Sequence, residues 1–250
     1  MSGLTGVTAI AAGLGYHSLA LKSDGTVWAW GRNLEGQTGT TPGAVCDRTI
    51  CVRTPVQVSN LTAVTAIGVG EYHSLAVRED GTVWAWGQSY FGQLGTGTIT
   101  TTGCFCQPQP APVLSVSGAT AVVGGTEFSA ARTRDGAVWT WGGDSFGELG
   151  DGASAAANPC GCVAPAAQVP GVAGVAAIAA GAYDLYVTRT DGTLWAWGAN
   201  FRAQLGNGSS DSTGHAPARI IITRPALTLT PVRSLFPDQV MGTTSGSRDK

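Results

Sequence analysis

One string returns four times in this chain of 250 residues and limits what it can fold into. DGTVWAWG begins at Asp24 and again at Asp80, DGAVWTWG at Asp135 and DGTLWAWG at Asp191, at spacings of 56, 55 and 56 residues. All eight Trp fall in four Trp-x-Trp pairs, Trp28/Trp30, Trp84/Trp86, Trp139/Trp141 and Trp195/Trp197. The flanks align too: GYHSLALKSDG, EYHSLAVREDG, EFSAARTRDG and AYDLYVTRTDG upstream, and EGQTG, FGQLG, FGELG and RAQLG downstream. A fixed period of this length means that one supersecondary unit stacks on copies of itself, because a unit that small cannot bury its apolar face alone.

Each unit reads as β structure. Val7 to Ala12 and His17 to Lys22 are short apolar runs parted by Gly13 and Gly15. Asp24-Gly25 predicts a two-residue type I′ hairpin turn with both central residues at positive φ. In the strand that follows, the period of two places both Trp on one face, and the repetition predicts that they pack between units. The Pro-flanked segment Val56 to Val58 supplies a fourth, edge strand, where a missing N–H does least harm. Composition agrees: charged residues are only 12% of the chain, about half the usual share, and Gly, at 37 residues, is about twice as common as usual. Three or four strands per unit at constant period predict radial repetition, an all-β propeller.

The motif G-x-Y-H-S-L-A-L-K-x-D-G-T-V-W-A-W-G-x-N-x-x-G-Q-L-G resembles the repeat of the regulator of chromosome condensation family, a seven-bladed β-propeller. The resemblance implies four blades of about 55 residues, approximately residues 2–58, 59–114, 115–169 and 170–222, a partial arc of a seven-bladed ring. The WD-type propeller, with a period of about 40–45 residues, does not fit. A full ring would need about 385 residues, so either blades are missing from this chain or the arc closes by self-association, and the first is preferred. Residues 2–10 already repeat the pattern of residues 59–67, so Met1 opens inside a repeat and the chain reads as a fragment whose start, with any export signal, is missing. Residues 223–250 read as a linker or as truncated first strands: the alternating segment from Pro225 resembles the opening of ASH-type (Hydin-like) immunoglobulin-like modules of large bacterial exported proteins.

The six Cys, Cys46/Cys51, Cys104/Cys106 and Cys160/Cys162, occupy the variable loops of three successive units, and the fourth unit, with a shorter loop, has none. Their expected role is a local disulfide in each extended loop, in an oxidising compartment. Cys-x-Cys bridges are tight, so pairing between neighbouring loops stays open. No Cys-x2-Cys partner motif or nearby His supports a metal, and no cofactor is expected.

Residues that resemble chemistry have plainer roles. His17 and His73 share a repeat position that carries Phe128 and Asp184 in the other units, which points to blade packing. Asp24, Asp80, Asp135 and Asp191 each precede Gly and read as turn residues. Ser18 and Ser74 lack a G-x-S-x-G context. What varies between units suits binding: Tyr16, Tyr72, Glu127 and Tyr183 just before the His position, and Tyr90, Phe91, Phe146 and Phe201 after the Trp pair, all expected in blade-end loops. Some of these aromatics could equally plug gaps between blades.

A formal charge of −2 lacks the footprint of a nucleic-acid binder, and no apolar run reaches the length of a membrane-spanning helix. The expected function is a non-enzymatic binding module of an exported or surface bacterial-type protein, holding a protein or a glycan. The alternatives are a secreted enzyme inhibitor, like the β-lactamase-blocking propellers of this repeat class, and guanine-nucleotide exchange on a small GTPase, the activity of the family's eukaryotic namesake.

Overall fold

The structure, a computed structural model, describes residues 3–13, 15–40, 44–46, 49–98, 106–152 and 162–221. Among these, every regular element is a strand. Blade 1 comprises β1 (Val7–Ala12), β2 (His17–Lys22), β3 (Val27–Arg32), β4 (Ala44–Cys46) and β5 (Thr49–Gln57). Blade 2 holds β6 (Val64–Val69), β7 (His73–Arg78), β8 (Val83–Gln88) and β9 (Cys106–Pro112). Blade 3 holds β10 (Ala119–Gly124), β11 (Phe128–Thr133), β12 (Val138–Gly143) and β13 (Cys162–Gln168). Blade 4 holds β14 (Val175–Ala180), β15 (Asp184–Arg189), β16 (Leu194–Asn200) and β17 (Asp211–Arg219). Each is an antiparallel meander in chain order, except that β4 adds itself outside β5. The fourth strand is therefore longer than Val56 to Val58, and in blade 1 its first residues pair with an extra hairpin strand (Ala44↔Cys51, Cys46↔Thr49). The blades pack in sequence through their inner strands β1, β6, β10 and β14, giving an open arc. All four lie in one unit, Met1–Ile220; the tail assigned to a linker or domain start lies outside the described residues.

The Asp-Gly turns differ from the type I′ form. Gly25 N donates to Lys22 O at 2.9 Å and Lys22 N to Thr26 O at 3.0 Å, so the loop has three residues, Ser23-Asp24-Gly25, and only Gly25 has positive φ, +75°. This is a type I turn followed by a left-handed Gly. The carboxylate explains the choice. Asp24 Oδ1 accepts from Thr26 N at 3.0 Å and from Thr26 Oγ1 at 2.6 Å, and Thr26 Oγ1 accepts from Trp28 Nε1 at 3.3 Å. Blades 2 and 4 repeat the relay through Thr82 to Trp84 and Thr193 to Trp195. Blade 3 has Ala137 there, and Thr133 Oγ1 bonds Asp135 instead, at 2.6 Å.

The Trp pairs do share a face, but only the second indole is an interior group. Trp86, Trp141 and Trp197 are 0% exposed, each in a cluster with the preceding blade's residues, as Trp86 with Leu19, Val27 and Val58. Trp30 is only partly buried, because no blade precedes it among the described residues. The first indole of each pair, nearer the turn, stays half-buried; Lys22, Arg78 and Arg189 lie over Trp28, Trp84 and Trp195 at 5.8, 5.7 and 5.5 Å. The Gly after the pair is obligatory. At Gly87 φ is +108°, and a Cβ would lie 2.5 Å from Tyr72 O, at a break in the β8–β9 register.

Candidate functional site

The meander puts the β1–β2 loop and the segment after β3 at one end of a blade and the Asp-Gly turn at the other. All eight blade-end residues singled out in the sequence therefore lie at the same end, where the inner strands of the four blades meet at a central opening that none of the eight lines. That opening is a cavity of about 400 Å³ lined by Gly13, Gly70, Glu71, Gly125, Thr126 and Gly181, among others.

Beneath this rim the structure pairs residues that the sequence left apart. His17 Nε2 lies 2.9 Å from Ser74 Oγ on the next blade, and His73 Nε2 lies 2.8 Å from Ser129 Oγ. Such pairs invite a nucleophile–base reading, but the protons run the other way. Ser74 Oγ donates its only proton to Gln37 O at 2.8 Å, so His17 must donate through Nε2. The same carbonyl accepts Trp86 Nε1 at 2.9 Å. Gln93 O likewise takes Ser129 Oγ and Trp141 Nε1, both at 2.8 Å. Burial pushes His17 down to about 4 and His73 to about 3, and both rings are buried. These are interblade ties. Between blades 3 and 4 the two positions are Phe128 and Leu185, an apolar pair in one core cluster, and only Trp197 Nε1 bonds across, to Glu148 O at 2.9 Å. The readable signal was the co-substitution His17/Ser74, His73/Ser129, Phe128/Leu185 one unit apart. In blade 4, Asp184 accepts from the hydroxyl of Tyr186 on its own blade.

On the rim, Tyr16 is 79% exposed and Phe201 42% exposed, while Tyr72, Glu127, Phe146 and Tyr183 are half-buried. Three aromatics converge at the junction of blades 3 and 4, where Phe146 meets Tyr183 at 5.3 Å and Phe201 at 5.7 Å, both edge-on. Tyr90 and Phe91 pair at 4.7 Å. At the junction of blades 1 and 2 the guanidinium of Arg32 covers the ring of Tyr72 at 4.7 Å and pairs with Glu35 at 2.6 Å.

Blade 3 concentrates the rim's negative charge. Glu127 replaces a Tyr, Asp144 replaces Asn33 and Asn200, and Glu148 replaces Gln37, Gln93 and Gln204. The backbone roles persist: Leu149 N donates to Asp144 at 3.0 Å and Phe146 N to Glu148 at 2.7 Å. Burial raises Asp144 to about 6 and Glu148 to about 7; burial, then the nearby Glu71, raises Glu127.

Cys46 and Cys51 form a disulfide across the β4–β5 hairpin with Cα atoms 5.8 Å apart, and Cys106 is also disulfide-bonded. Cys104 and Cys160 lie outside the described residues, and of Cys162 only its place at the head of β13 is described. Among the described residues no three His, Cys, Asp or Glu side chains converge to hold a metal, and no helix is long and apolar enough to cross a membrane.

A family model described as the RCC1-like domain matches residues 1–235. Human E3 ubiquitin-protein ligase HERC2 is 31% identical over 196 residues, 78% of this chain and 4% of that protein. Mouse Protein RCC2 is 31% identical over 153 residues, 60% of this chain and 28% of that protein. Prp20p from Saccharomyces cerevisiae superposes with a TM-score of 0.74 at 22% identity, covering 87% of this chain and 51% of that one.

Proposed function

Since the chain belongs to the RCC1-like domain family, we propose that it serves as a non-enzymatic protein-interaction module that presents the rim around its central opening. Fold alone does not assign a function. The observation that carries the reading is the convergence of Phe146, Tyr183 and Phe201 beside Glu127 at the junction of blades 3 and 4. Aromatics that are only partly covered, on a rigid frame, offer contact area at little entropic cost, and carboxylates beside them favour a basic protein surface over a neutral glycan. Among its relatives in fold, Prp20p is described with binding properties to Gsp1p and histones.

The Cys46–Cys51 bridge supports placing this module in an oxidising compartment, secreted or at a cell surface. Thiol titration of the isolated protein checks that placement: free Cys46 and Cys51 thiols would sink it. The binding surface is tested by comparing proteins retained by the intact chain, by Tyr183→Ala/Phe201→Ala, and by Trp84→Ala at the opposite end. A partner lost only from the rim variant is the expected outcome, and equal retention by all three would overturn the assignment.

A further inference from the structure

The repeat provides its own template for what the rim holds. In blade 1 the position after the Trp-Gly pair is Arg32, whose guanidinium lies on Tyr72 of blade 2 at 4.7 Å, with Glu35 as counter-charge. At the junction of blades 3 and 4 the ring persists as Tyr183, but the cation position is Gly143. Carboxylates surround that vacancy. A Cβ built on Gly143 would sit 3.0 Å from Glu127 Cβ and 3.4 Å from Glu127 Oε2, so the Glu127 side chain forms one wall of the position. Glu148, only 2% exposed, uses Oε2 to accept from Phe146 N. Its other oxygen holds the place of the Gln93 amide nitrogen, which in blade 2 donates to Gln88 at 3.0 Å. Gln88 is the counterpart of Gly143, so the register of the repeat places this second oxygen on the Gly143 side, in a carboxylate whose donors are the backbone N–H groups of Phe146 and of Glu148 itself.

We propose that the junction of blades 3 and 4 is a receptor slot for an arginine side chain of the protein partner, its guanidinium taking the place that Arg32 fills at the junction of blades 1 and 2. The guanidinium lies on the Tyr183 ring as Arg32 lies on Tyr72. Glu127 and the second oxygen of Glu148 accept its N–H groups, and Phe146 walls the slot. A planar fork of donors suits two carboxylates and a ring better than a point charge does, which selects arginine over lysine. The rising proton affinity of Glu148, at about 7 through burial, fits an acid that lacks its counter-ion. This inference rests on reading the rim as protein-binding.

The probe is N-acetyl-arginine amide, titrated into the intact chain and followed by two-dimensional NMR, with the lysine and citrulline amides as parallel arms. For so small a ligand the expected dissociation constant is about 1–10 mM. Shifts should centre on Gly143 and Tyr183, citrulline should produce none, and Glu148→Gln should weaken arginine about tenfold. Gly143→Arg should fill the slot in cis, abolish probe binding and raise Tm; Gly143 does not have positive φ, and the new Cβ, 3.0 Å from Glu127 Cβ, requires that side chain to give by a few tenths of an ångström. Equal shifts with citrulline, no shifts at about 50 mM arginine amide, or a Glu148→Gln variant that binds undiminished would each overturn the slot, and tighter binding of lysine would overturn its arginine selectivity. A partner that binds the rim equally well after Gly143→Arg would sink the slot and leave the module reading intact.

Discussion

Between blades 1 and 2, His17 donates to Ser74, Ser74 donates to the Gln37 carbonyl, and Arg32 covers Tyr72 at the rim. Between blades 3 and 4 the first pair is Phe128 and Leu185, and the rim has Glu127 and Glu148 around Gly143. Both junctions keep the Trp Nε1 bond to the preceding blade's carbonyl. One frame thus tolerates a polar interior with a self-neutralised rim, or an apolar interior with an acidic, unneutralised one. The comparison teaches that the indole tie and the apolar clusters hold the blades, while polar detail is free to vary wherever the partners vary together.

Removing the shared element should produce the largest effect. Trp86→Ala and Trp197→Ala should each cost about 3–5 kcal/mol in urea denaturation. A large inequality would break the idea of a common frame, whereas Trp30→Ala should cost much less, its indole being only partly buried.

The junctions should next part company in pH dependence. Burial depresses His17 to about 4 from 6.5, so its contribution is complete above pH 6.5 and is lost as pH falls towards 4, a change of roughly 3 kcal/mol. His17→Phe with Ser74→Leu copies the junction of blades 3 and 4. It should make the fall in stability between pH 7 and pH 4 shallower in denaturation curves without abolishing it, because His73, held at about 3, keeps its own contribution; an unchanged acid limb would show that the His17–Ser74 tie is not a proton sink.

Glu148 acts in the opposite direction. Its folded value near 7 exceeds 4.5, so the folded state holds the proton more tightly and stability falls as pH rises through that window. Glu148→Gln should therefore stabilise by about 1–2 kcal/mol at pH 8 and by almost nothing near pH 4.5, measurable as a Tm difference between the two pH values. The smallest change expected is at the turn: Ala137→Thr restores the Asp–Thr–Trp relay in blade 3 and should add at most about 0.5 kcal/mol, since Thr133 already bonds Asp135.

Much of this was legible in the chain. The Trp-x-Trp pairs marked strand and shared face, though the strand runs on through the Gly that reads as its end, and the Asp-Gly positions marked four turns, although the Asp-to-Thr bonds chose a three-residue loop over type I′. The blade-end aromatics could be placed at one end from the meander alone. Which of them meet could not, because Phe146, Tyr183 and Phe201 come from different blades. The serine–histidine ties were hidden for the same reason: each residue was read within its own unit, and the partner sits one period away.

The sequence by itself determined the repeat, the β meander and the residues that every blade must share, because these follow from local periodicity and turn chemistry. Only the tertiary structure decided which indole of each pair is interior, which way the protons run in the ties, and where the acidic groups of blade 3 gather. Those properties belong to contacts between blades, and the energy of a buried charge or hydrogen bond depends on what the neighbouring sheet brings to it.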